Sequence, residues 1–142
     1  MRILIILLLL LFIVSRPIIS FAQDPKDVDI ALTISGEAIG EGRVGMYAVA
    51  CAIQNRAKKA NLSPYIITKE GFYGKGNKWA KKGFKLEKKW LLNLVDSLNR
   101  LELVDITNGA LFFESIDYPK NIARFDKLYT RCWSYKKHIF YK

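Results

Sequence analysis

Apolar residues recur over 86–103 as Trp90, Leu91, Leu94, Leu98 and Leu101, at the three- and four-residue spacing of one helical face, while charges fill the opposite face. This spacing predicts an amphipathic helix packed on a core. Over 43–59 the pattern differs: Met46, Val49, Ala50, Ile53 and Ala57 make one stripe, and small or apolar residues occupy most other faces as well. That predicts a central, largely buried helix. An earlier helix is predicted over 28–35, capped by Asp27 or Asp29 and stopped at Gly36.

Between these helices, 62–84 carries Pro64, Gly71, Gly74, Gly76 and Gly83 among many lysines, which reads as a loop region enclosing at most a short helical turn. Thr107-Asn108-Gly109 marks a turn into a short strand at 110–113. A connecting stretch through Pro119 leads to a mixed tail ending in His138-Ile139-Phe140-Tyr141. No internal repeat is present. The pattern as a whole predicts a predominantly helical α+β domain with a minor β element.

The first 22 residues stand apart. A single Arg2, an apolar run over 3–14 and the closing Ser20-Phe21-Ala22 have the layout of a secretory signal peptide cut after Ala22, leaving 23–142 as one domain. The competing reading is a retained membrane anchor, but Arg16 and Pro17 interrupt the run short of the ~20 apolar residues that span a bilayer. Cleavage removes two arginines and no acid, so the formal charge passes from +10 to +8. An exported basic protein is a poor match for nucleic acid. Its surface suits anionic envelope polymers or lipid headgroups, the plainer alternative being that the lysines only keep it soluble.

Cys51 and Cys132 remain after cleavage. Cys51 points off the apolar stripe of its helix, so a buried free thiol is the expectation. A Cys51–Cys132 bridge stays open, because sequence cannot bring the two Cα atoms within bonding range. There is no CxxC pair and only one histidine, which argues against a zinc site; no metal and no cofactor is expected.

The candidate chemistry lies in GEAIGEG, where Glu37 and Glu41 stand among glycines just before the central helix. At the C-terminal end of a helix the carbonyls carry partial negative charge, and a neighbouring apolar helix removes water. Both effects raise a carboxyl pKa. A carboxylic acid kept protonated near neutral pH is what glycosidic cleavage needs, since the leaving oxygen must receive a proton as the bond breaks. The glycines leave room for a bulky sugar, and they also argue against a helically matched carboxylate pair. A tight interhelical turn with solvated acids is the alternative.

The string ALTISGEAIGEGRVGMYAVACAIQNR, 31–56, closely resembles the opening motif of the SleB-type cell wall hydrolases, the family of spore cortex-lytic enzymes and their relatives. TNGALFFES, 107–115, and the terminal HIFYK, 138–142, follow in the family's order. The resemblance implies a lysozyme-like single domain, of the goose-type and lytic-transglycosylase kind, that cuts peptidoglycan between N-acetylmuramic acid and N-acetylglucosamine. It makes Glu37 the catalytic acid. Lytic transglycosylases need no second carboxylate, because the muramic 6-hydroxyl attacks the anomeric carbon after the same glutamate turns from acid to base; Glu41 then fixes the turn or assists. The lysine-rich 71–89 departs from the family pattern, which has a Gln-Phe-Ser type segment there.

Further candidates follow from the same patches. Phe112 and Phe113 alternate across a strand, so one belongs to the core and the other to a sugar-stacking groove; periodicity does not choose, and Phe113 is the candidate. Glu114 and Tyr118 are candidate glycan hydrogen-bonding residues, and His138 is a candidate by resemblance. Asn55 and Arg56, matching the family's closing N-R, read more simply as a polar pair tying down a neighbouring loop. The leading expectation is thus an exported glycosidase, in the periplasm or cell envelope, whose partner is peptidoglycan glycan strands and which meets a membrane only through an uncleaved leader. A non-catalytic peptidoglycan-binding module of the same fold is the alternative. A membrane-active basic protein fits less well, since the one strong amphipathic face is suited to a core.

Overall fold

A computed structural model describes residues 23–142; the signal peptide expected over 1–22 lies outside the described residues. Helix α1 runs Pro25–Ala38. It begins earlier than expected because Asp24, not Asp27 or Asp29, caps it, accepting a 2.8 Å bond from Lys26 N with Pro25 in the first turn. It also passes through Gly36 instead of stopping there. The 3-10 turn Ile39–Glu41 and Gly42, at φ 74°, then redirect the chain into α2, Gly42–Ala60, which ends on left-handed Asn61.

Helix α2 is the central element the sequence predicts. Its Met46, Val49 and Ile53 meet Ile30 and Ile34 of α1 in one core. Its other side presents Ala48 and Ala52 to Ala110 and Phe140. Small residues on that side let a strand approach closely, which explains why the helix is apolar nearly all round. Truncating a fully buried residue such as Ile53 to Ala would cost ~2–5 kcal/mol.

The short α3, Pro64–Ile67, is capped by Ser63. Helix α4, Lys78–Asn99, contributes Leu91, Val95 and Leu98 to the same core. It starts at Lys78 and not at 86, because Asn77 caps it through a 2.9 Å bond from Trp79 N. The glycine and lysines of this stretch suggest a loop, yet Gly83 is a helix–helix contact: a Cβ there would stand 2.2 Å from Ser35 Oγ. The helical geometry breaks at Glu87 (φ −114°, ψ 19°), where the lysine-rich and core-facing halves join.

Strands β1 (Phe112–Ser115), β2 (Arg131–Tyr135) and β3 (His138–Tyr141) form an antiparallel sheet in the order β1-β3-β2. β1 sits slightly later than the predicted 110–113. Helix α5, Pro119–Leu128, replaces the expected connecting stretch. It has no fully buried residue, and its anchor is Phe125, 6.4 Å from Phe112 and 5.3 Å from Tyr141 between ring centres. The register pairs Phe113 with Phe140 and Ser115 with His138, so these four share the face towards α2, while Phe112 and Glu114 share the face towards α5.

Polar residues of α2 fasten the loop that leads into β1. Gln54 both donates to Leu103 O and accepts from Leu103 N, and Asn55 Nδ2 donates to Asp105 Oδ2 and Ala110 O. Asn55 therefore ties down a loop, as its position suggests. Cys51 and Cys132 are both free; Cys51 is buried and donates to Val104 O at 3.6 Å. Among the described residues no helix is long and apolar enough to cross a membrane, and no three His, Cys, Asp or Glu side chains gather as a metal site would need.

Candidate active site

Glu37 occupies the last turn of α1, inside the helix and not just past it. Its Oε1 accepts two backbone bonds, from Tyr73 N and Gly74 N, each 2.6 Å. Such bonds need the 3-10 turn Gly74–Gly76 to lie directly on α1. Two glycines allow it. A Cβ on Gly36 would stand 1.7 Å from Gly74 O, and one on Gly74 would stand 2.5 Å from Glu37 N. Gly36 is there for close approach, which is why it does not end the helix.

Burial pushes the Glu37 carboxyl above its ordinary range, the Tyr73 and Gly74 N–H groups pull it back, and the nearby Glu114 charge adds to the rise; the balance is upward. The geometry also assigns the proton. Both N–H groups donate to Oε1, so in the neutral acid the O–H belongs to Oε2, the oxygen without a backbone donor. A fixed carboxyl with its proton on a known oxygen can deliver that proton directionally.

Glu41 is 7 % exposed and differently employed. Its Oε2 accepts from Lys137 N at 3.2 Å, and its carbonyl accepts from Lys136 Nζ at 3.1 Å. It thus grips the turn between β2 and β3, where Lys136 has φ 47°. Gly45 makes room for it, since a Cβ there would stand 2.2 Å from Glu41 Cβ.

Glu37 and Glu41 open onto a cleft of about 730 Å³, and Phe113, Glu114, Tyr118 and His138 line the same cleft. These six candidate residues thus line one cleft. Glu114 is oriented by Ser115 N and by Asn121 Nδ2 of α5. Tyr118 stands exposed at the rim, before α5. His138 is 8 % exposed, stacks edge-on against Phe113 at 5.4 Å, and its Nδ1 has no hydrogen-bond partner among the described residues. Burial lowers its pKa, against the opposing pull of Glu41, Glu114 and Asp117. Phe112 and Phe113 do not divide into core and groove: both are half-buried and both line the cleft, on opposite faces of β1.

Sequence reasoning missed the two backbone donors on Glu37, because nothing in residues 73–74 advertises a contact with residue 37. Arg56 does not tie down a loop as its pairing with Asn55 suggests; its guanidinium lies between the Phe72 and Phe112 rings, 5.1 and 5.6 Å from their centres, and lines the cleft. Its place at the end of the N-R motif was the available signal. Asn121 had none, since α5 itself was not anticipated.

No family model and no curated protein matches this sequence. Among solved structures the chain is similar to the catalytic domain of the germination-specific lytic transglycosylase SleB from Bacillus anthracis, at 23% identity and a TM-score of 0.53. The match covers 87% of this chain and 100% of that domain. The likeness is one of fold: a predominantly helical, lysozyme-like α+β domain with a small sheet.

Proposed function

We propose that this chain is an exported peptidoglycan glycosidase of the SleB type, cleaving glycan strands between N-acetylmuramic acid and N-acetylglucosamine as a lytic transglycosylase. The observation that carries the reading is Glu37: a desolvated carboxyl at a helix C-terminus, its Oε1 held by two N–H groups, facing a cleft large enough for several sugars. The resemblance of 31–56 to the SleB-type motif and the fold likeness to a lytic transglycosylase domain support it.

In this mechanism the Oε2 proton of Glu37 passes to the glycosidic oxygen as the C1–O bond breaks, and the N-acetylglucosamine hydroxyl leaves. The muramic 6-hydroxyl oxygen then bonds to C1, and its proton returns to Glu37 Oε2. Acid and product are restored in balance, with no water consumed. The anchored Oε1 keeps the carboxyl in place through both transfers, a positioning contribution that removes the need for a second carboxylate. Glu41 supports the site by holding the β2–β3 turn that carries Lys137 and His138. Phe113 and Tyr118 offer stacking surfaces, and Glu114 and the unpartnered His138 offer hydrogen bonds to a glycan.

Mass spectrometry of purified peptidoglycan digested by the chain beginning at Gln23 tests the proposal. Products ending in 1,6-anhydromuramic acid are expected. Reducing ends, heavier by one water, would make the chain a hydrolase, and sacculi that are bound but intact would make it a binding module.

A further inference from the structure

A second depression lies beside the main cleft. It measures about 310 Å³ and is lined by Ile39, Gly40, Trp79, Lys82, Gly83 and Leu86. Gly40 borders both cavities. Nothing lies within 4 Å of where a Gly40 side chain would begin, so no side chain stands at this shared border. Asn77, which lines the main cleft, caps the helix on which Trp79 stands. The depression therefore continues the cleft over the start of α4.

Its lining joins exposed apolar side chains to basic ones. Trp79 and Leu86 are 47 % and 70 % exposed, large apolar groups left in the open at the mouth of a groove. Lys78 and Lys82 hold their ammonium groups 5.2 Å from the Trp79 ring centre. An acetamido sugar presents a flat C–H face suited to an indole, and a muramic residue carries a carboxylate suited to the flanking lysines, on its lactyl group where that is free and on its peptide where the lactyl group is amidated. A single ring fills a cavity of this size, and the continuity with the main cleft gives it the same strand as occupant.

We propose that the Trp79 depression is a distal subsite that holds one further sugar of the strand whose scissile bond lies at Glu37, and that the lysines around it take the acidic substituents of that sugar. The inference rests on the glycan-cleaving reading of the main cleft. It makes the protein prefer long strands over short ones.

The test compares the mature chain with Trp79→Ala and Gly40→Leu on purified glycan strands of two lengths, a tetrasaccharide and strands of a dozen or more sugars, with binding measured calorimetrically in parallel. The parent is expected to favour long strands in kcat/KM. Trp79→Ala should raise KM for long strands by about tenfold, the scale of one lost aromatic contact, with kcat retained. Gly40→Leu should erode the same preference by setting a side chain on the border that the two depressions share. A preference that survives Trp79→Ala in a folded protein overturns the subsite. So does a loss of binding to phosphatidylglycerol vesicles with the length preference intact, which would make the patch a membrane contact. If the parent cleaves no strand, the glycosidase reading falls by itself; tighter calorimetric binding of long strands that Trp79→Ala abolishes would still support the subsite, and its absence would end it.

Discussion

Gly36 and Gly74 meet backbone against backbone, so closely that a methyl group on either would overlap the other's segment, with Gly74 O 1.7 Å from a Gly36 Cβ and Thr33 O 2.2 Å from a Gly74 Cβ. This contact brings the Tyr73 and Gly74 N–H groups onto Glu37. Substitution at Gly74 must move the backbone, because the obstructing atoms are themselves backbone. Gly74→Ala is therefore expected to cost ~1–3 kcal/mol, seen as a melting temperature lower by several degrees, and to reduce turnover strongly. Gly76→Ala is the control, since nothing lies within 4 Å of that position. Equal stability and activity of the two variants would mean that the close approach does not set the position of Glu37.

That contact also marks the boundary of what the sequence discloses. The core helices are legible because burial imposes periodicity: the stripe Met46, Val49, Ile53 and the repeat Leu91, Leu94, Leu98 are both found buried as the spacing predicts. Glu37 stands out in the sequence as a candidate through its motif, and the structure places it on the cleft with its carboxyl raised in pKa by burial. Contacts between distant segments are not, since residues 36 and 37 carry no trace of residues 73 and 74. Gly36 and Gly83 mislead for one reason: a glycine required for close packing looks identical in sequence to one that ends a helix. Helix α5 is overlooked because Ile122, Phe125 and Tyr129, though at helical spacing and half-buried, make a stripe of only three residues behind Pro119, which reads as a connection.

The exposed lysines of α4 bear on strand capture. Lys81, Lys82, Lys88 and Lys89 are all solvent-facing. Binding to isolated sacculi is expected to weaken severalfold as salt rises, because exposed charges are screened over ~10 Å at 0.1 M ionic strength. Replacing the four by Gln should flatten that dependence. A pull-down indifferent to salt, or unaltered in the Gln variant, would assign these lysines to solubility alone.

The two thiols should differ in reactivity. Burial pushes the Cys51 thiol up to about 11, and burial raises that of the half-buried Cys132 as well. Since the thiolate is the reactive form, a thiol reagent at neutral pH should modify Cys132 slowly and Cys51 only after unfolding. Non-reducing electrophoresis should show no intramolecular bridge. Failure of native protein to react at either cysteine, with release of both after reduction, would reveal a Cys51–Cys132 disulfide.

Glu37 should reveal itself in activity and in stability at once. Glu37→Gln keeps the size and can still accept the Tyr73 and Gly74 N–H bonds, but it has no proton to deliver, so release of soluble muropeptides should fall by ~10²-fold or more while glycan binding survives. Glu41→Gln should cost clearly less, because Glu41 holds a turn and not the reacting bond. The parent's rate should fall as pH rises through the elevated folded-state pKa of Glu37, where the acid form is lost. Stability follows the same titration. With the folded pKa above the unfolded one, the folded chain binds the extra proton, so this contribution is fully present below the unfolded value and lost as pH rises through the folded value. Glu37→Gln removes the half-buried carboxylate and should melt higher than the parent at neutral pH, the gap closing in acid. Thermal melts of both variants across pH, beside the muropeptide assay, check each step. Parent-like digestion by Glu37→Gln, or a folded Glu41→Gln that alone is dead, would move the chemistry from Glu37 to Glu41.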